Sequence, residues 1–237
     1  MQTFFAKIAS DFSQSFIEAD RWKALLSGIG LTLELTFLSL LLGVVLGVIV
    51  AAIRSSYDQM EMVGKKNPIL KFFNSICNLY LTIIRGTPVM VQLMIMYFVI
   101  MASTTNKVLV GTLTFGINSG AYVAEIIRSG IMSIDKGQTE ASRSLGLGYA
   151  QTMKLIIIPQ AVKNVLPALC NEFIALLKET SIVNIVGIKD MTKWAFNVQG
   201  RTYQAFMPFI GIALIYLFFV LVLTKLVGKL ERKLRNE

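Results

Sequence analysis

The run LTFLSLLLGVVLGVIVAAI, from Leu35 to Ile53, carries no charged side chain, and it removes most of the folds open to a chain of this size. A helix rises about 1.5 Å per residue and the hydrocarbon core of a bilayer is about 30 Å thick, so the run is long enough to cross. Further apolar runs lie at 86–106 (GTPVMVQLMIMYFVIMASTTN), 108–124 (VLVGTLTFGINSGAYVA) and 205–224 (AFMPFIGIALIYLFFVLVLT). No soluble core absorbs several such runs, and within lipid each backbone group must be satisfied inside its own helix. Charged residues make up only 16% of the chain, against about 25% in soluble domains. The expected class is an all-α polytopic membrane protein.

A fifth crossing is less obvious. The segment 155–177 (LIIIPQAVKNVLPALCNEFIALL) holds Lys163, Glu172 and two prolines, and a hydropathy scan alone could reject it. Charge placement restores it. Arg54, Lys65, Lys66 and Lys71 follow the first run; Arg128, Lys136, Arg143 and Lys154 follow the third; Lys225, Lys229, Arg232, Lys233 and Arg235 close the chain. Positive residues mark the cytoplasmic side, so all three groups lie inside, and one more crossing is needed between Lys154 and Lys225. Five transmembrane helices are expected, with the N-terminus outside and the C-terminus cytoplasmic. The net charge of +9 reflects these orientation signals and does not point to nucleic acid. No apolar stretch of signal-peptide type follows Met1, so no cleaved leader is expected. Cys77 and Cys170 fall in or beside apolar runs and read as buried free thiols. The chain, 1–237, is expected to be one membrane domain with its core at about 25–227 and a cytoplasmic loop at about 131–155, without an internal inverted repeat.

Two runs carry small residues at helical spacing: Ser39, Gly43, Gly47 and Ala51 in the first, and Gly116, Gly120 and Ala124 in the third. Such lines let helix backbones approach closely. Polar residues inside the runs are the candidates for function, because an ionisable group there costs a few kcal/mol and usually faces a cavity. Glu172 is the sharpest, beside Asn171 and after Pro167, whose missing N–H bends a helix and frees carbonyls. It is read either as a substrate contact or as the partner of a basic group on a neighbouring helix. Asn118, Ser119 and Gln92 are candidate substrate contacts too, with interhelical hydrogen bonding as the plainer reading. Glu125 and Arg128 stand one helical turn apart and can pair.

Absences narrow the chemistry. The chain has no histidine, which removes HExxH zinc proteases, Ser–His hydrolases and His-ligated haem. It has no GxxxxGK[ST] phosphate loop. No catalytic residue, metal ligand or bound cofactor is expected, and transport is the class that remains.

The stretch GQTEASRSLG, 137–146, is polar and charged in a chain that is otherwise mostly apolar. Glu140 and Arg143 can pair at i, i+3, Ala141 and Leu145 form a narrow apolar edge, and Gly146 can take the left-handed conformation that ends a helix. Residues 131–160 resemble the cytoplasmic loop of importer permeases of the ATP-binding-cassette (ABC) superfamily, whose pattern is E-A-A, three residues, Gly, nine residues, Ile, one residue, Leu-Pro. Glu140, Ala141, Gly146, Ile156 and Pro159 match; Ser142 replaces the second Ala and Ile158 replaces Leu. With RGTPVMVQL (85–93), GAYVAEIIRSGI (120–131) and IPQAVKNVLPALCNEFIALLKETSI (158–182), the chain is similar to the permeases for polar amino acids over most of 25–227.

That resemblance implies the type I ABC importer permease fold in a bacterial plasma (inner) membrane. It implies pairing with a second permease, the same or a sister chain, above two ATPase subunits that hold ATP and Mg. It also implies an extracellular or periplasmic amino-acid-binding protein that delivers the cargo. The loop would form a coupling helix seated on the ATPase through Glu140, Ala141, Arg143 and Gly146. A carboxylate at 172 suits a basic amino acid, but family members handling uncharged amides share the triplet Asn171-Glu172-Phe173, which leaves glutamine-type and sulfur-containing cargo open. The competing class is a stand-alone secondary transporter or channel for small polar solutes, which needs no partner.

Overall fold

The computed structural model describes residues 2–62, 64 and 66–236, and among them every regular element is helical. Lys65, one of the expected orientation charges, lies outside the described residues. The helices are α1 (Gln2–Phe12), α2 (Arg21–Met62), α3 (Pro68–Gly86), α4 (Val89–Ile95), α5 (Lys107–Met132), α6 (Lys136–Ser144), α7 (Tyr149–Thr152), α8 (Ile158–Glu179), α9 (Met191–Thr202) and α10 (Phe206–Asn236). Short wider turns prolong α4 to Ile100 and join α7 to α8 through Met153–Ile157.

Helix α2 exceeds the expected first crossing at both ends. Its 42 residues make a rod of about 63 Å. The expected crossing at 86–106 is corrected. The chain there is α4 with its extension, Val89–Ile100, set at 105° to α3, which precedes it. Pro88 has no N–H to continue α3, and Thr87 before it is extended, as a residue preceding proline prefers. Asn67 caps α3 by accepting from the Ile69 and Leu70 amides, with Pro68 in the first turn. Sequence reading placed no helix at 68–86, because Lys71 and Arg85 interrupt its apolar character. Ile69, Phe72, Ile76, Leu79 and Ile83 line one exposed face, while Cys77 and Leu81 turn inward.

Among the described residues three helices are long and apolar enough to cross a membrane, or four when the bent pair is one span. Helix α5 has the length, at 26 residues, and its relative polarity follows from its place at the centre. Val110, Phe115, Ser119, Ala121 and Val123 on it are fully buried, so it need not be apolar all round. The contacts fix the relative course of the chain. Along α2 and α5, Leu35 lies by Gly111, Gly43 by Ser119 and Gly47 by Val123, so the two helices run parallel and α3–α4 return the chain between them. Helix α8 runs antiparallel to α5, with Ser119 bonded to Glu172 and Gly130 against Val165. Helix α10 then turns back, Ile212 packing with Trp194 near one end and Leu234 facing Lys163 near the other. Cys77 and Cys170 are free thiols.

The α2–α5 seam is the most extensive helix–helix contact among the described residues. A Cβ built on Gly47 would stand 2.5 Å from Val123 Cγ1 and 2.9 Å from the Ala124 amide nitrogen. One on Gly43 would meet Ser119 Cβ at 2.9 Å, and one on Gly116 would meet Leu42 Cδ2 at 2.5 Å. The small-residue lines read from the sequence are therefore the two sides of one interface. Buried hydroxyls on α2 bond within their own helix, Thr32 to the Gly28 carbonyl at 2.9 Å and Thr36 to the Thr32 carbonyl at 2.7 Å.

Glycine in a helix interior costs about 1 kcal/mol relative to alanine, so Gly30→Ala, where no atom lies within 4 Å of the added Cβ, leaves the melting temperature of the detergent-solubilised protein unchanged or higher. Gly47→Ala lowers it, because overpacking at the seam costs about 1–3 kcal/mol.

Candidate functional site

Helix α5 presents two polar side chains in succession, and each takes a different partner. Asn118 Nδ2 donates to Gln92 Oε1 at 3.0 Å. Gln92 Nε2 in turn donates to the Ile84 carbonyl at 2.8 Å, the Thr87 carbonyl at 3.1 Å and Thr87 Oγ1 at 2.8 Å. These carbonyls sit where the α3–α4 bend leaves them without helical partners. Gln92 satisfies them, and Asn118, buried at 4% exposure, anchors Gln92 to the central helix. This pair holds the bend.

Ser119 faces the other way. Its Oγ donates to Glu172 Oε1 at 2.7 Å. Glu172 has no ion-pair partner among the described residues. One donor leaves most of the carboxylate's acceptor capacity free. The carboxylate lines a groove of about 450 Å³ between α5 and α8, with Tyr122, Glu125 and Ser129 on one wall, Asn164 and Ala168 on the other, and Arg85 beside them. Asn164, Ala168 and Glu172 are four residues apart and share one face of α8. Asn171 is exposed and is not among the groove residues, because adjacent helical residues point about 100° apart.

At the other end of the groove three arginines converge on Glu125. Arg54 of α2 pairs with its Oε1, Arg85 of α3 stands 3.9 Å from Oε2, and Arg128 of α5 lies 3.8 Å from the same oxygen. Arg128 also reaches Asp58 at 3.3 Å. The expected Glu125–Arg128 pair is thus one edge of a larger network. Arg85 also stacks over the Tyr122 ring at 5.5 Å. Sequence reading missed Arg85, Tyr122, Glu125, Ser129 and Asn164 as groove residues. For the residues on α5 and α8 the only signal was the i, i+3/i+4 spacing of polar groups; Arg85, on α3, carried none.

The polar stretch at 137–146 forms α6. Asp135 Oδ1 caps its start by accepting the Gly137 amide at 2.7 Å. At its end the Gly146 amide bonds to the Arg143 carbonyl at 3.0 Å and the Leu147 amide to the Ser142 carbonyl at 3.2 Å, with Gly146 left-handed at φ +83°. This is the Schellman closure that glycine favours. Ser142 turns inward and donates to the Gln138 carbonyl, so the hydroxyl standing in the second Ala position is internally satisfied. Glu140, Ala141 and Arg143 are exposed, and Leu145 is 82% exposed. The expected Glu140–Arg143 pair does not form; each side chain projects separately from a short helix braced by Met153–Ile157. The result is an unpartnered charged and apolar face at the end of the bundle where Arg54, Arg128 and Lys154 gather.

Residues 63–236 match the family described as "Binding-protein-dependent transport system inner membrane component". The chain is 36% identical to the arginine transport system permease protein of Bacillus subtilis over 215 residues, covering 90% of this chain and 93% of that protein. It is 31% identical to the glutamine transport system permease protein of Escherichia coli over 215 residues, covering 89% and 93%. A crystal structure of an amino acid ABC transporter with histidines superposes with a TM-score of 0.81 at 42% identity, covering 89% of this chain and 94% of that one. A methionine ABC transporter in an inward-facing conformation shares the fold at a TM-score of 0.75 and 19% identity, covering 92% and 99%.

Gln92→Ala strands the Ile84 and Thr87 carbonyls and the Asn118 amide at once. It lowers stability in detergent by about 1–3 kcal/mol, whereas Asn171→Ala leaves the thermal midpoint in place.

Proposed function

The chain belongs to the family of inner membrane components of binding-protein-dependent transport systems and is a permease subunit of an amino-acid ABC importer in the bacterial inner membrane; from that premise we propose that the α5–α8 groove is where the amino acid is held in transit. The observation that carries this is the pairing of charges in one groove. Glu172 offers a carboxylate with a single internal donor, and Arg85 offers a guanidinium that is partly exposed. An amino acid brings a carboxylate and at least one cationic group, so the two ends of the groove suit the two ends of the solute. We assign Arg85 to the α-carboxylate and Glu172, with Ser119 positioning it, to the cationic end of a basic side chain. Basic and other polar amino acids are the substrate class.

The α6 face is the coupling element. It is too short and too polar to anchor itself, and its exposed Glu140, Ala141, Arg143 and Leu145 suit a groove on another protein. In this reading two ATPase subunits bind ATP and Mg and carry out hydrolysis, this chain holds no cofactor, and a second permease completes the pathway. The parallel course of α2, α5 and α10, with cations gathered at the α6 end, supports five crossings with the N-terminus outside and that end cytoplasmic.

The test is uptake by the complete transporter in liposomes. Glu172→Gln removes a charge-assisted bond of about 1.5–3 kcal/mol, so half-saturation for arginine rises roughly 10- to 100-fold while glutamine is less affected. Arg85→Gln weakens both. Equal losses for the two solutes in Glu172→Gln would take the side-chain assignment away from Glu172, and uptake by this chain alone without ATP would overturn the importer reading.

Two changes on α6 separate coupling from assembly. Glu140→Lys reverses a charge on the exposed face, and Gly146→Asp forces a side chain onto a left-handed residue. Both abolish ATP-driven uptake while the chain still inserts in the membrane; normal uptake in either would remove α6 from the coupling path.

A further inference from the structure

At the end of the bundle opposite α6, the start of α2 and the face of α9 enclose a second pocket of about 190 Å³. Arg21, Lys189 and Arg201 line it, together with Asp190, Trp194 and Asn197. Positive charge at this end runs against the orientation rule that places basic residues at the α6 end. It is also unbalanced. Lys23 nearby is paired with Asp20 at 2.6 Å, and Asp190 caps α9, accepting the Thr192 amide at 3.1 Å and the Lys193 amide at 2.9 Å. Arg21, Lys189 and Arg201 have no ion-pair partner among the described residues. Arg21 reaches the Gln14 carbonyl through Nη1, but its Nε is enclosed and has no acceptor.

A guanidinium beside two further cations, none of them ion-paired, gives this pocket the chemistry to hold an anion. The volume admits one side chain and not a globular surface. We propose that this pocket receives a carboxylate side chain, Asp or Glu, of the external binding protein that delivers the cargo. The proposal rests on the importer reading above, with the α9 end outside.

The surroundings would let occupancy be felt elsewhere. The Trp194 indole donates to the Arg21 carbonyl at 2.9 Å, which ties α9 to the first turn of α2. The same unbroken α2 passes the glycine seam and delivers Arg54 to Glu125 in the groove. A carboxylate bridging Arg21 to Lys189 and Arg201 would clamp α9 against α2 at the outer end of that rod.

The test uses the complete transporter in liposomes of neutral lipid, with the binding protein titrated at fixed saturating amino acid. Lys189→Gln with Arg201→Gln raises the binding-protein concentration for half-maximal uptake by about tenfold and flattens its salt dependence, as loss of steering charges does. Uptake at saturating binding protein is retained. Arg21→Lys, which keeps the charge and loses the fixed fork, gives a smaller shift of the same sign and guards against a folding defect in Arg21→Gln. Unchanged half-saturation and salt slope would overturn the proposal. So would a shift that appears only when anionic lipid is added, which would make the anion a headgroup, or one that tracks free amino acid, which would make it the cargo. Sidedness is read separately from Gly200→Cys on α9 in a background lacking Cys77 and Cys170. Labelling by a membrane-impermeant thiol reagent only from the inside would overturn the orientation on which both readings stand. Outside labelling with unchanged affinity would overturn this proposal alone.

Discussion

The fold depends on how closely α2 and α5 approach. Inside lipid there is no hydrophobic drive between apolar helices, so association relies on packing, and packing is best where backbones nearly touch. Gly43 and Gly47 on one side and Gly116 and Gly120 on the other remove the Cβ atoms that would hold the helices apart. The α5 wall of the groove is set by that contact. It turns Ser119 toward α8 and Asn118 toward α4, and it brings Arg54 within reach of Glu125. The parallel course of the two helices also obliges the chain to return between them, which is the task of the bent α3–α4 pair.

The bend shows how an irregular backbone is tolerated at membrane depth. Pro88 breaks the helix and leaves carbonyls without helical donors, which a side chain of the protein can supply. Gln92 supplies them, and Asn118 holds Gln92 in place. Sequence reading grouped Gln92, Asn118, Ser119, Asn171 and Glu172 as substrate contacts. The structure divides them: Gln92 and Asn118 hold a bend, Ser119 orients Glu172 in a groove, and Asn171 turns away. All five are polar residues in apolar runs, and only their partners tell the uses apart.

Legibility varied with the range of the interaction involved. Helical spacing is local, so the small-residue lines were readable in advance. So was the left-handed Gly146, because a Schellman closure needs only the few residues before it. Helix α3 was not readable as a membrane element. Its apolar residues occupy one face, and Lys71 and Arg85 break the run that hydropathy looks for. Arg85 was not singled out; its place in the groove requires the 105° turn that carries α4 away. Glu140 and Arg143 had the right spacing to pair, yet spacing permits a contact without requiring it, and exposed pairs contribute too little, about 0–1 kcal/mol, to fix two long side chains.

The two carboxylates of the groove differ in a way that bears on transport. Glu125 is surrounded by Arg54, Arg85 and Arg128 from three helices, so its charge already ties those helices together. Glu172 has one neutral donor, Ser119. A carboxylate that already had a fixed cation could accept a solute only by giving one up. One that is oriented but not neutralised offers its remaining lone pairs to whatever enters. Arg85 stands between these cases, since at 3.9 Å from Glu125 it is beyond hydrogen-bond reach and can turn to a carboxylate in the groove without stranding Glu125, which keeps Arg54. The groove therefore has an end where Glu125 ties α2 to α5 and, in the proposed reading, an end that a charged solute would complete.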